Sequence, residues 1–490
     1  MGSVLGTLAI ALVTTVGLVA WRRVFSARRI IEVPEEGYFG AGCKHDDDTS
    51  LRPFEIEVSE DVLDDVKHRL KNSRVGHEVL EDADSFQYGF NANCLREIKE
   101  YWLTTYDWRT YERILNSFPQ YKTEIEGLNI HFLRVKPPTS YKTVLPLLIV
   151  HGWPGNVFEF YKIIPMLTDP RKHFSGASHD FAFEVIAPSI PGYGWSDQPK
   201  KSGMNQIATA RIFRKLMERL GYTKFFVQGG DWGAVVVSFL AKLYPESVHG
   251  VHVNMFPATP QNSLKSWLLH YIGHYFPCWT FNSSMHYAFN SQRFAPAEAG
   301  YFNIQATKPD TVGTALNDSP IGLAAYILEK YSSWTNMRYR DLPDGGLTKK
   351  FTLGELLTMV MIYWTNNNIV SSQRFYKERQ LDKNYMALLC KYMEVPTGYS
   401  AFVHDFPQVV PREIAETACN LVSYAEHKDG GHFAAFEEPR ALAGDVLAFV
   451  DSEDVVDLCI NIELVIVFTT DHRKPNGCGG IIYHMHCTHE

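Results

Sequence analysis

The chain has 490 residues, of which 45% are hydrophobic and 21% charged, a globular composition that excludes a disordered, fibrous or repeat protein. A formal net charge of −8, with no long Lys/Arg run, argues against a nucleic-acid partner. Cys43, Cys94, Cys278, Cys390 and Cys419 stand singly, as reduced core thiols do, and make no disulfide framework.

The first element is apolar. Val4 to Trp21 carries no charge and is followed by Arg22, Arg23, Arg28 and Arg29. As a helix it spans roughly 27 Å, about the thickness of a hydrocarbon core. A cleaved signal peptide would carry basic residues before its apolar run, and here they come after it. We therefore expect a retained single-pass anchor over residues 1–22, with the membrane bilayer as partner and the body of the protein in the cytosol. The sequons at Asn282 and Asn317 would then go unused.

Residues 23–50 read as a linker and 51–122 as a largely helical N-terminal extension. Ser59 is placed to cap a helix whose Val62, Leu63, Val66 and Leu70 share one face, and Leu95, Ile98, Tyr101 and Trp102 recur at helical spacing. In TEIEGLNIHFLRVK, Gly127 marks a hairpin. Short apolar strands then alternate with helices: LPLLIV (145–150), FEVIAPSI (183–190), KFFVQG (224–229) and VHGVHVNMF (248–256). This is what a parallel sheet covered on both faces requires. The alternation stops over 257–394, an aromatic helical insertion, and resumes at PTGYSAFV (396–403), NLVSYAEH (420–427) and a last helix near Pro439–Val450. The expected fold is thus α/β, with a core in two parts (123–256 and 395–451) and a helical cap at 257–394.

Three strings carry chemistry. Phe225 to Ala234 reads strand, Gly-Gly-Asp-Trp-Gly, helix. This is a nucleophile elbow with Asp231 where an esterase has serine. An aspartate capping the helix that begins at Trp232 is the plainer alternative. His151-Gly152-Trp153-Pro154-Gly155 follows the strand at which an α/β-hydrolase carries its oxyanion loop, so the backbone amides of Trp153 and Trp232 are the candidate oxyanion donors. Gly430-Gly431-His432 lies between the last strand and the last helix, where such folds place the base histidine. Asp405 follows the penultimate strand and is the candidate acid, with Asp429 and Glu426 as competitors.

These strings, together with FQYGFN, YWLTTYDWR, PGYGWSD, TKPDTVGTALNDSPIGLAAYILEK, SSQRFYKE, VPTGYSAF and GGHFAAFEEP, resemble the microsomal epoxide hydrolases, including the insect juvenile hormone epoxide hydrolases. The resemblance runs from the anchor to about Val450. It implies an endoplasmic-reticulum membrane enzyme that turns lipophilic epoxides into vicinal diols without metal or cofactor. It also implies Asp231 as nucleophile, His432 as base, Asp405 as the acid orienting it, and Tyr301 and Tyr376 as donors to the epoxide oxygen. A carboxylate suits this chemistry, because ring opening leaves an ester that water can cleave, where serine would leave an inert ether. Many relatives carry Glu at the position of Asp405, which implies altered turnover rather than loss. Residues 452–490 depart from the pattern: their Cys459, Cys478, Cys487, His484, His486 and His489 match no standard zinc spacing. A haloalkane dehalogenase and a catalytically impaired binding protein are the competing readings. Which epoxide is physiological, and the oligomeric state, stay open.

Overall fold

Nine strands make one sheet in the order β1-β2-β3-β5-β4-β6-β7-β8-β9. The strands are β1 (Arg52–Phe54), β2 (Gln120–Ile125), β3 (Leu128–Val135), β4 (Thr143–Val150), β5 (Phe181–Pro188), β6 (Phe225–Gly229), β7 (Val248–Val253), β8 (Met393–His404) and β9 (Cys419–Gly431). The computed structural model describes Gly17 and residues 31–83, 86–174, 180–282, 298–407 and 409–452. The expected anchor, Gly17 apart, and the tail beyond Ser452 lie outside the described residues. Among those residues no helix is long and apolar enough to cross a membrane.

From β5 to β9 all pairings are parallel, whereas β1, β2, β3 and β5 pair antiparallel. The difference follows the sequence. Leu147–Val150 and Phe225–Val227 are buried throughout, as continuous apolar strands covered on both faces must be. The β2–β3 hairpin turns at Glu126 and Gly127, both at positive φ, with the Asp47 carboxylate accepting both turn amides.

The N-terminal region holds α1 (Glu60–Asn72), α2 (Ala92–Thr104) and α3 (Trp108–Leu115). Two details differ from the sequence reading. Arg52–Phe54 is extended and extends the sheet beside β2, because a free sheet edge offers hydrogen bonds that three residues cannot make alone. Ser59 sits at the N-cap, but its side chain makes no capping bond.

The main core helices are α4 (Gln206–Arg219) and α5 (Asp231–Leu243), with α6 (Leu264–Tyr275) following β7. Between β7 and β8 the described residues are helical or turn, with α7 (Gly300–Thr307), α8 (Pro309–Asp318), α9 (Pro320–Ser333), α10 (Leu353–Thr365), α11 (Ile369–Leu381) and α12 (Tyr385–Cys390). The final α13 (Pro439–Val450) returns to the sheet, where its Phe449 ring fills the space left by Gly250 and Gly398. A buried tyrosine of α10, Tyr363, donates to the Gly155 carbonyl at 2.8 Å. It pins the helical insertion to the loop after β4.

Candidate active site

The turn from β6 into α5 forces Asp231 to φ +47°, the left-handed region that a residue with a Cβ rarely occupies. Two close approaches hold it there. A Cβ on Gly233 would fall 1.9 Å from the Val150 carbonyl oxygen, and one on Gly152 would fall 2.1 Å from Asp231 Oδ1. Only glycine leaves this room. Parallel pairing of Val150 with Gly229 brings the loop after β4 beside the elbow. As a result the Trp153 amide donates to Asp231 Oδ1 at 2.7 Å. Trp232 occupies the first turn of α5, where an amide has no intrahelical acceptor.

His151 serves this loop rather than the chemistry. Its Nε2 accepts from the Ile190 amide at 3.1 Å, its Nδ1 lies 3.0 Å from the Gly152 carbonyl, and burial lowers it to about 4. A neutral ring that donates through Nδ1 clamps the loop on which Trp153 sits.

His432 follows β9, and the pairing of His404 with Gly431 carries Asp405 to its side. His432 Nδ1 lies 2.9 Å from Asp405 Oδ1 and 3.0 Å from the Phe406 carbonyl. Its backbone amide donates to the Trp334 carbonyl. Nε2 faces Asp231 Oδ2 at 3.3 Å, a charge contact rather than an aligned hydrogen bond. Asp429 turns instead to Lys350 at 2.7 Å, so Asp405 is the carboxylate at the imidazole. Burial by itself favours a neutral His432, yet its contacts with Asp231 and Asp405 push it up to about 10. Burial raises Asp405, against the opposing pull of His432.

Tyr301 on α7 and Tyr376 on α11 converge above these groups. Tyr301 stacks on Trp153 with centroids 5.6 Å apart, Tyr376 meets Trp232 edge-on at 4.8 Å, and the two phenol rings stand 6.1 Å apart. Burial first, then charge including that of Asp231, raises both phenols well above the ordinary tyrosine value. Both therefore stay protonated as donors. They share with Asp231 and His432 a cavity of about 220 Å³ whose remaining wall is mainly apolar, including Phe256, Phe302 and Leu389.

A second, much smaller cavity of about 20 Å³ lies against Asp231 and His432, bounded by Gly152, Gly155 and Glu159. Burial, with the Asp231 charge adding, pushes the Glu159 carboxyl up to about 8. Sequence reasoning missed Glu159 because nothing in VFEF marks its glutamate as buried. It also missed Trp334, which stacks on Phe406 at 4.7 Å and meets the His432 ring at 4.9 Å. Asp231, His432, Asp405, Tyr301, Tyr376, Trp153 and Trp232 come together in this one region, whereas the competitor Asp429 pairs with Lys350. Among the described residues no cluster of His, Cys, Asp and Glu has the geometry of a metal site.

The sheet order, the elbow after β6 and the helical insertion define an α/β-hydrolase. Residues 146–276 match the family model described as the alpha/beta hydrolase fold, and residues 51–160 match the one described as the epoxide hydrolase N terminus. Epoxide hydrolase 1 of Oryctolagus cuniculus is 48% identical over 425 residues, covering 85% of this chain and 92% of that protein. Juvenile hormone epoxide hydrolase 1 of Ctenocephalides felis is 43% identical over 426 residues, covering 85% and 89%. The crystal structure of juvenile hormone epoxide hydrolase from the silkworm Bombyx mori superposes with a TM-score of 0.80 at 39% identity, covering 87% of this chain and all of that one. The chain belongs to the epoxide hydrolase family and hydrolyses epoxides. The dehalogenase and binding-protein readings are not favoured by these relatives.

Proposed function

We propose that this enzyme opens lipophilic epoxides through a covalent ester on Asp231. The observation that carries the proposal is the arrangement of one carboxylate between two partners. Oδ1 takes the Trp153 amide at 2.7 Å, while Oδ2 lies 3.3 Å from His432 Nε2. Oδ2 attacks an epoxide carbon, the carbon–oxygen bond breaks, and Tyr301 and Tyr376 supply hydrogen bonds and a proton to the departing oxygen. Oδ1 becomes the ester carbonyl, already in contact with its oxyanion donor.

Ester formation removes the Asp231 charge, and with it one of the two anions that hold His432 protonated. The imidazole becomes a better base at the step that needs one. His432 passes its own proton to the tyrosinate that ring opening leaves and then, neutral and oriented by Asp405, takes a proton from water. The hydroxide attacks the carboxyl carbon, and the Trp153 and Trp232 amides hold the oxyanion. Collapse breaks the bond between the carboxyl carbon and Oδ2, and Oδ2 takes the proton of the hydroxyl that water delivered, which frees the diol and restores the Asp231 carboxylate beside protonated His432.

A single turnover in ¹⁸O-water tests this route. The expected result is unlabelled diol and one ¹⁸O in the peptide that contains Asp231. Label in the diol on the first turnover would mean that water attacks the epoxide directly.

The reading extends to place and substrate. The uncharged Val4–Trp21 segment before four arginines supports a single-pass anchor in the endoplasmic-reticulum membrane with the catalytic body cytosolic. On this reading residues 51–122 form the N-terminal extension, 257–394 the cap, and 123–256 with 395–451 the core. The apolar wall of the main cavity supports a lipophilic substrate.

A further inference from the structure

Helix α6 presents its apolar stripe outward. Leu264, Leu268, Tyr271 and Tyr275 recur every three or four residues at 57, 42, 57 and 61% exposure, and Trp279 beyond the helix end is 87% exposed. The opposite side is packed, since a Cβ on Gly273 would fall 2.2 Å from the Phe281 ring. Scattered exposed apolar residues are ordinary, but a continuous stripe on one helix face marks a partner surface. Tyr and Trp in that stripe are the side chains that suit the headgroup level of a bilayer.

The position of the helix identifies the occupant. Ser266 Oγ donates to the Thr259 carbonyl, and Asn262 Nδ2 lies 3.3 Å from the Cys390 carbonyl. Thr259 and Leu389, next to Cys390, line the main cavity. The start of the described body meets the same rim, for Asn384 Nδ2 donates to the Glu32 carbonyl at 3.0 Å, and Tyr385 also lines that cavity. About ten residues separate Trp21 from Glu32, a reach of at most roughly 36 Å. Glu32, the cavity rim and the base of α6 are thus joined through α12, and the anchor segment is tethered to that same rim. We propose that the exposed face of α6, continued to Trp279, is a second contact with the lipid bilayer and seats the cavity mouth at the membrane surface. This proposal rests on the anchor reading above.

The test uses the full chain with Cys43 and Cys278, the exposed cysteines among the described residues, and the tail cysteines Cys459, Cys478 and Cys487 changed to serine. A nitroxide is attached at Trp279→Cys or, as control, at Val144→Cys, a 44% exposed position at the start of β4, the end of that strand away from the elbow. With phosphatidylcholine vesicles, the label at 279 should lose access to an aqueous nickel chelate at least fivefold and gain access to oxygen, while the label at 144 stays aqueous. Flotation with the vesicles reads the anchor separately. Protein that fails to float sinks the anchor reading, whereas protein that floats with an aqueous label at 279 overturns this face alone. The Leu268→Ser/Tyr271→Ser/Trp279→Ser variant should raise KM roughly fivefold or more for an epoxide dissolved in vesicles, with kcat unchanged. It should leave a small water-soluble epoxide unaffected. Equal effects on both substrates, or none on either, would count against the proposal.

The small cavity behind Asp231 carries an independent inference. Its volume of about 20 Å³ is room for one water molecule. Glu159 Oε2 lies there so close to Gly155 that a Cβ at 155 would approach it to 2.6 Å. Asp231 and His432 bound the same space. We infer that Glu159 positions the hydrolytic water between His432 and the Asp231 ester, given the ester mechanism above. Rapid-quench measurement of the two half-reactions decides it. Glu159→Leu should slow ester hydrolysis tenfold or more with ring opening unchanged, so that ester accumulates, and Glu159→Gln should restore most of the rate. A Leu variant that slows both steps alike or neither, or a Gln variant that rescues nothing, would overturn the assignment. Absence of ester even in His432→Ala would instead overturn the mechanism on which it stands.

Discussion

The two cavities that meet at Asp231 differ in almost everything but that residue. One holds about 220 Å³ and is lined largely by aromatic rings, Tyr301 and Tyr376 among them; the other holds about 20 Å³ and is bounded by glycines, a histidine and a buried carboxyl. A two-step reaction with an apolar first partner and water as the second needs two such sides. The carboxylate must attack the epoxide in one direction and, as its ester, be reached by water from the other, and the water must not reach the epoxide first. Glycine at 152 and 155 keeps the small side open, and rings from the insertion close the large one.

The following changes break that division, from the largest expected effect to the smallest. Asp231→Ala should yield neither diol nor ester, a loss of about 10⁴-fold or more, whereas His432→Ala should still form the ester and stall there. Intact-protein mass spectrometry separates the two. The Tyr301→Phe/Tyr376→Phe variant should lose roughly 10³-fold or more in ring opening, since removal of one preorganised donor removes about 10²–10³. Ester accumulating in that variant would show that the phenols act on the wrong side of Asp231.

Neutralising the shared carboxylate sharpens the electrostatic part. In Asp231→Asn, the His432 pKa measured by NMR should fall from about 10 by at least roughly one unit, because the ester-like amide no longer supports the imidazolium. An unchanged value would place the whole upward shift on Asp405.

The last effect is on stability rather than on activity. Glu159 ionises near 4.5 in an unfolded chain but stays protonated to about 8 when folded. Its raised value therefore favours unfolding increasingly as pH climbs between those limits and is neutral below them. Glu159→Gln should match the native chain at pH 4 and gain on it by up to roughly 1.4 kcal/mol per pH unit toward pH 8. Denaturant midpoints at the two pH values check the sign.

Much of this was legible in the chain itself, where a local string dictates a local backbone. Gly-Gly-Asp-Trp-Gly between an apolar strand and a helix announced the elbow, and the structure gives Asp231 the positive φ such a turn entails. Short apolar runs alternating with helices announced a mostly parallel sheet, and the loss of that rhythm after Pro257 announced the helical insertion. Tyr301 and Tyr376, among 25 tyrosines, were legible through resemblance to a family and not through spacing. What tertiary structure alone decided are the contacts between segments far apart in sequence. Asp405 rather than Asp429 reaches His432 because the register of β8 on β9 sets His404 against Gly431. Glu159 becomes a buried acid beside Asp231 because β4 pairs with β6 and carries the following loop to the elbow. Helix α6 has an ordinary apolar pattern, and only packing reveals that this stripe faces outward. A sequence encodes which backbone each segment prefers; which side chains share a cavity, and which face is left uncovered, is settled only when strand registers and packing bring remote segments together.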